Sequence, residues 1–464
     1  MLMPTTEFAP VPLTSASGNG ESTAPRSSSS ASTSARLLPY AHPPATSSDV
    51  LEVLGVLLLV PRVVAAIATV LIAALMCSVA AVGLPTPPPA PLMPPPLGGW
   101  RRLVVKCAIG YGARILLFCL GFVRIRVKGE PLAPRTKAAA IVSNHQTFLD
   151  VCLWAYLAEA PVSVSAKENL GIPVMAGIMK AAQCVFVDRD DPNSAANATK
   201  QLTAVLTNDG FPKIVVYPEG NTSNGKQLTQ FKLGAFLPLM PVQPAVITYH
   251  TFGKRVNASW VEPLGMPITV VALRLLCQPF HTMDVQLLPV VYPPTTAGSN
   301  VSTTDAAREF AALVRDKMAS ASNLPTTEHN YTDTSLMLRA ARRGVHDPSV
   351  FCVEAGKVRT ELGPRVGSHA GLVAAAKAFI DANGGEPLDA DSLWSSLSSC
   401  EAGSGSGETT PLLDASDKSW GWWGGTRGLE RVGLSSPEVA LRAFDQTHDG
   451  KVTFREFLHG VASL

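Results

Sequence analysis

Apolar positions along this chain fall into three patterns, and each predicts a different kind of element. From Val63 to Leu84 no charged residue interrupts the run VVAAIATVLIAALMCSVAAVGL, about the twenty residues a helix needs to cross a hydrocarbon core of about 30 Å. A Pro-rich stretch over 85–99 follows, an extended spacer that sets this helix apart from any core. Leu103 to Val123 is also apolar, but Lys106 and Arg114 break it, which fits an amphipathic helix lying in the membrane interface.

Beyond Ala138 the pattern shortens to runs of a few residues. Strands are expected at Ala138–Val142, near Pro161–Ser165, at Lys213–Tyr217, and in PAVITY and MDVQLLPVVY. Between them lie helical patterns at Phe148–Ala158, Ile172–Ala182, Ser194–Thr207 and Val270–Cys277, and a last one spans Thr304–Ala319. Alternation of this kind predicts an α/β domain, one mixed sheet flanked by helices. After it a helix is expected at His369–Ala382, and helices at Pro437–Phe444 and Phe454–Ala462 flank a short polar loop, with Ser436 as N-cap.

Composition sharpens the picture. Hydrophobic residues make up 46% of the chain and charged ones 16%, which favours membrane contact. The formal net charge of +2 gives no footprint for nucleic acid. The 8 cysteines are scattered and read as reduced, packed residues. Residues 1–48, rich in Ser, Thr, Pro and Ala, read as disordered, with an organellar transit segment as the alternative. The expected organisation is a transmembrane region over 51–84, the spacer over 85–99, and the α/β domain over 100–325. A helical extension (326–400), a Gly/Ser/Trp-rich linker (401–428) and a terminal module (435–464) follow. Arg101, Arg102 and Lys106 outnumber Arg62 across the apolar helix, which places the domain on the cytosolic face. Trp420, Trp422 and Trp423 are a candidate interfacial anchor.

Candidate chemistry concentrates in AAAIVSNHQTFLD. His145 falls at the carboxyl end of a strand and Asp150 in the first turn of a helix, so the loop can fold the carboxylate back onto the imidazole. An aspartate on one ring nitrogen fixes the tautomer and leaves the other nitrogen as a general base. The competing reading is a loop histidine beside a helix-terminal carboxylate. At the other end, DQTHDGKVTFRE fits a calcium loop, with Asp445, Thr447, Asp449, the Lys451 carbonyl and Glu456 as ligands at positions 1, 3, 5, 7 and 12. Thr447 stands where a carboxylate is usual, which weakens the site. Hands of this kind pair, and the candidate partner is DANGGEPLDADS from Asp381, which lacks the turn glycine and the closing glutamate. Two other patterns dissolve on inspection. Gly220 to Lys226 has phosphate-loop spacing but is followed by Gln227, which is no magnesium ligand, and no Gly-x-Ser-x-Gly elbow occurs.

A second block, KIVVYPEGNTSNGK, decides between the readings of His145. NHQTFLD and YPEGNTS resemble the His-x-x-x-x-Asp and Pro-Glu-Gly blocks of the glycerolipid acyltransferases, and PVQPAV resembles their proline-containing block. VFVDRDD resembles the block that carries Phe and Arg, with Phe186 and Arg189 in register and Gln183 in place of its glycine. The likeness covers about Trp100 to Tyr331 and is nearest to the lysophosphatidylcholine and lysophosphatidylethanolamine acyltransferases with a C-terminal EF-hand. It implies His145 and Asp150 as the catalytic pair. It also implies that Arg189, Glu219, Gly220, Thr222 and Ser223 bind the acceptor, with Lys226 supplying charge where many relatives have an arginine.

The activity implied is acyl transfer from acyl-CoA to the free hydroxyl of a lysophospholipid at a bilayer, needing no catalytic cofactor, with calcium as a candidate modulator. The implied location is the endoplasmic reticulum, with the plastid as an alternative. Glycerol-3-phosphate or lysophosphatidate is the alternative acceptor. A calcium-responsive membrane-binding protein with an inactive acyltransferase domain is the alternative of another class.

Overall fold

The computed structural model describes residues 51–83, 92–172, 174–188, 194–251, 258–260, 267–294 and 302–327, a broken series of positions from 329 to 399, and 436–463. Residues 1–48, Arg189 and the linker with its tryptophans lie outside the described residues. Of the helix expected at His369–Ala382, the described positions 376 and 379–381 are helical.

Seven strands form one mixed sheet: β1 (Phe122–Gly129), β2 (Ala140–Ser143), β3 (Val162–Ala166), β4 (Val185–Val187), β5 (Ile214–Val216), β6 (Val242–Thr251) and β7 (His281–Leu287). Their order is β1-β7-β6-β2-β5-β3-β4. Only β6 and β7 pair antiparallel; the other neighbours are parallel. The central strands are apolar on both faces because both are covered. Ala140 and Val142 face a core with Leu202, Val205, Phe236 and Phe310, whereas Ile141 and Val215 face one with Leu149, Leu153, Trp154 and Leu275.

Helices α1 (Leu51–Ala81), α2 (Gly99–Lys106) and α3 (Gly112–Cys119) precede the sheet, with a π-helical turn at Cys107–Tyr111 joining α2 to α3. Within the domain follow α4 (Leu149–Leu157), α5 (Met175–Ala181), α6 (Ser194–Thr207), α7 (Ile268–Leu276) and α8 (Thr303–Ser322). Beyond it lie α9 (Ala390–Ser399), α10 (Pro437–Phe444) and α11 (Phe454–Ser463).

Two expectations need correction. The interfacial helix expected to reach Val123 ends at Cys119, and from Phe122 the chain is strand β1, where Val123, Ile125 and Val127 alternate with Arg124, Arg126 and Lys128, the period of an edge strand. And α1 is not set apart by the spacer. It packs on α2, α3 and α5 through small residues, Ala73, Cys77 and Ala80, which let the helices approach closely. Arg62 on the same helix donates to the carbonyls of Leu276, Gln278 and Pro279 at 2.9, 2.5 and 2.7 Å, capping the end of α7.

The opposite face of α1, with Val64, Ile67, Leu71 and Leu75, is exposed. Leu57–Ala81 is long and apolar enough to cross a membrane. Trp100, Leu103, Tyr111, Ile115 and Phe118 extend the exposed apolar surface along α2 and α3. The two charges within Leu103–Val123 are taken up by the protein. Lys106 pairs with Glu159 at 2.7 Å, and Arg114 donates to the Phe122 and Val123 carbonyls.

The C-terminal helices build their own core around Phe351, Phe379, Phe444, Phe454 and Phe457.

Candidate active site

The polar loops after β2 and β5 emerge side by side, because these strands are parallel neighbours in the sheet. The loop after β2 is fixed first. Asn144 pairs both ways with the Ile247 backbone of β6, accepting from its N–H at 2.8 Å and donating to its carbonyl at 3.1 Å. Then Asp150, fully buried in the first turn of α4, turns back over the loop. Its Oδ2 accepts from the backbone N–H groups of Gln146 and Thr147 at 2.6 and 3.0 Å and lies 2.8 Å from His145 Nδ1.

Its Oδ1 accepts from the Tyr249 hydroxyl. Burial and the Asp150 charge raise the Tyr249 hydroxyl well above the ordinary phenol value, so it stays a donor. With Nδ1 donating to the carboxylate, Nε2 carries a lone pair. The His145 side chain keeps 18% of its exposure, and its ring stacks on Tyr217 with centroids 4.1 Å apart.

The loop after β5 grips the same residue by its backbone. Glu219, 1% exposed, accepts the His145 N–H at 2.9 Å with Oε1, and with Oε2 accepts from the Thr229 hydroxyl at 3.1 Å. Ser223 donates its N–H to the His145 carbonyl at 2.9 Å. Both peptide groups of His145 are thereby clamped. Burial pushes the Glu219 carboxyl up to about 7, against the hydrogen bonds from His145 and Thr229 that favour its charged form.

Gly225 sits where a Cβ would come within 2.3 Å of the Gln146 amide, and its φ of +70° belongs to the left-handed region. That approach seats the second loop on the first. An open cleft of about 340 Å³ beside the pair is lined by Gln146, Asn224, Gly225, Lys226, Tyr249 and Leu324.

The residues singled out from the sequence are thus placed unequally. His145, Asp150, Glu219 and Ser223 form one bonded cluster, Gly220 turns the chain at φ +73°, and Thr222 is buried beside it. Lys226 is exposed and lines the cleft. The carboxylate of Glu219 holds the backbone of the candidate base. Sequence reasoning missed Tyr217, Thr229 and Tyr249. Tyr249 ends the strand PAVITY, where an apolar run closing in a tyrosine was the available signal. Cys152, close to the pair, is no alternative nucleophile, because burial and the Asp150 charge push its thiol up to about 12.

At the C-terminus, Asp445 Oδ1 accepts from the N–H of His448 at 2.7 Å and Oδ2 from that of Gly450 at 2.8 Å. Glu456 accepts from the N–H groups of Gln446, Thr447 and Thr453, and from the Thr453 hydroxyl at 2.7 Å. Thr447, Asp449 and the Lys451 carbonyl complete a set made only of oxygen donors, which fits a hard cation such as calcium. Val452 exchanges both backbone hydrogen bonds with Leu388, at 2.8 and 2.9 Å, so the loop from Asp381 is its partner in space. Asp381 itself is engaged by Arg339 and Arg343.

A strand-loop-helix that presents an aspartate-held histidine at the carboxyl ends of parallel strands has the arrangement of an acid-base site on an α/β fold. Residues 124–249 match the family model described as acyltransferase. The chain is 29% identical to lysophosphatidylcholine acyltransferase 2 of Homo sapiens over 80% of its own length and 60% of that protein's. It is 30% identical to lysophospholipid acyltransferase LPEAT2 of Arabidopsis thaliana over 57% of the chain and 48% of that protein. The chain thus spans about 60% of the length of the first of these relatives. The crystal structure of the 1-acyl-sn-glycerophosphate acyltransferase PlsC from Thermotoga maritima aligns over 59% of this chain and 98% of that one, with 14% identity and a TM-score of 0.41.

Proposed function

We propose that this protein transfers an acyl chain from acyl-CoA to the free hydroxyl of a lysophospholipid at a membrane surface. The observation that carries the reading is the His145–Asp150 pair, with Nδ1 committed to the carboxylate and the ring partly exposed. His145 Nε2 takes the proton as the acceptor hydroxyl oxygen attacks the thioester carbonyl. The C–S bond then breaks, and the departing CoA sulfur takes that proton back. The leaving group is good enough that no covalent enzyme intermediate is needed. Asp150 keeps the tautomer and stabilises the imidazolium that forms; Glu219 and Ser223 hold the ring's backbone in place.

Lysophospholipid as acceptor rests on the printed names of the relatives. The exposed apolar faces of α1, α2 and α3 support attachment to the bilayer beside the cleft. The loop over Asp445–Glu456 would hold calcium through Asp445, Asp449, Glu456, the Thr447 hydroxyl and the Lys451 carbonyl. Its ligation would order the helix pair around Val452.

The test is transfer of labelled acyl groups from acyl-CoA by membranes containing the full chain. These would be offered lysophosphatidylcholine, lysophosphatidylethanolamine, lysophosphatidate and glycerol-3-phosphate, with calcium or chelator. Acylation of a lysophospholipid that His145→Ala abolishes is the expected result. Turnover of glycerol-3-phosphate alone would reassign the acceptor. No turnover with any acceptor, by folded protein, would overturn the proposal.

A further inference from the structure

Away from the acyltransferase cleft, three side chains of metal-ligating type converge: His329, Asp333 and Cys352. His329 Nδ1 lies 3.2 Å from Asp333 Oδ2 and 3.7 Å from Cys352 Sγ, and the three atoms all fall within 4.8 Å of one another. Asp333 and Cys352 are fully buried, and His329 is 16% exposed, which leaves a way in.

We propose that this cluster is a transition-metal site of zinc type, joining the acyltransferase domain to the C-terminal helical unit. The first argument is the donor set. His329 Nδ1 faces a buried carboxylate oxygen and a buried cysteine sulfur together. A shared cation would take the nitrogen lone pair, the carboxylate and a thiolate, and the two negative ligands would cancel its charge of +2. The second argument is distance. Donors at about 2.0 to 2.3 Å around a tetrahedral centre stand about 3.3 to 3.8 Å apart, the spacing of the two contacts made by Nδ1.

The third argument is support around the ligands. Asp333 Oδ2 accepts from the Asn330 N–H at 2.9 Å, which fixes the carboxylate. One thiolate, one imidazole and one carboxylate are zinc donors, whereas calcium and magnesium avoid thiolate. Three protein ligands leave the fourth position to water.

The placement gives the site a structural role. The His329 carbonyl accepts from Gln230 at 2.9 Å, one residue after Thr229, whose hydroxyl holds Glu219. On the other side Phe351, next to Cys352, packs edge-on against Phe454 at 4.7 Å, at the start of the helix that carries Glu456. A cation here would tie the neighbourhood of the His145 clamp to the terminal loop.

The test uses the full chain in detergent, loaded with Zn2+ or Co2+ and freed of excess metal. About one zinc per chain is expected, and the cobalt form should show the thiolate charge-transfer band and the intense visible bands of a tetrahedral site. Oxygen-only ligation in the terminal loop gives no thiolate band, so the two sites are told apart. Cys352→Ser should remove the band and weaken zinc binding by more than about 100-fold, beyond what loss of an outer-shell partner costs. His329→Ala should release the metal as well. Wild-type protein that retains no zinc and shows no thiolate band would overturn the proposal without reference to any variant's folding. A band that persists in folded Cys352→Ser would do the same by placing the metal elsewhere.

Discussion

The loops at His145–Asp150 and Asp445–Glu456 are closed by the same device. In each, an aspartate gathers backbone N–H groups of its own loop: Gln146 and Thr147 for Asp150, His448 and Gly450 for Asp445. In each, a glutamate gathers further N–H groups, from His145 for Glu219 and from Gln446, Thr447 and Thr453 for Glu456. What differs is the surroundings. The first loop sits between parallel strands, so its carboxylates are sealed in, and the imidazole they orient is left partly exposed beside Gln146. The second lies between two short helices with residues 446–451 exposed, although Asp445 and Glu456 themselves are buried. The same turn chemistry supplies the scaffold in both, and what sets the first loop apart is the imidazole that its carboxylate orients.

The sharpest way to break the comparison is His145→Ala. Acyl transfer is expected to fall by at least about 10³-fold, with the melting temperature nearly unchanged. An active variant would make the first loop as structural as the second. Asp150→Asn comes next: it turns an amide NH2 toward groups that already donate, so activity should drop by about 10³-fold. About 2 kcal/mol of stability, measured by denaturant titration, should be lost with it. Asp445→Asn turns an amide toward donating N–H groups in the same way, so it should cost stability in the terminal unit while leaving acyl transfer nearly intact.

A third measurement is pH. Glu219 titrates near 7 in the folded chain and near 4.5 unfolded, so the folded state holds the extra proton between those values. Stability should therefore decline as pH rises from about 4.5 to about 7, and level off above, by up to about 3 kcal/mol. In Glu219→Gln that slope should disappear; an unchanged slope would mean another group carries it. Tyr249→Phe, which removes one donor from Asp150, should cost about tenfold in rate. The smallest effect belongs to the second loop. Thr447→Asp should tighten calcium binding about tenfold, read by calorimetry, without altering transfer at saturating substrate.

Much of this was legible because it is local. His145 and Asp150 lie in one strand-loop-helix, and the strands from β2 onward, being short apolar runs, announced a covered sheet. What escaped depends on contacts distant in sequence. Tyr249 reaches Asp150 only because β6 lies beside β2, and Thr229 matters only through Glu219. Glu219 itself was read as a ligand for the acceptor, since a sequence does not show which way a carboxylate points. β1 was hidden because its apolar residues continue the hydrophobic stretch before it, although its alternation was there to be counted. The loop from Asp381 was legible as the candidate partner of the terminal one, and Leu388 pairs there with Val452, whereas the hold of Arg339 and Arg343 on Asp381 was not.

The three carbonyls capped by Arg62 have a practical consequence. Removing the apolar N-terminal helix, the usual route to a water-soluble fragment, would here take away a wall of the catalytic domain. It would bare the small-residue groove along α3 and α5 and leave the end of α7 without its cation. A shortened chain that is soluble but inactive would then report a damaged domain and say nothing about whether the reaction needs a bilayer. The informative change is Leu71→Ser with Leu75→Ser, which makes the outward face of the helix polar while Arg62, Ala73, Cys77 and Ala80 keep their contacts.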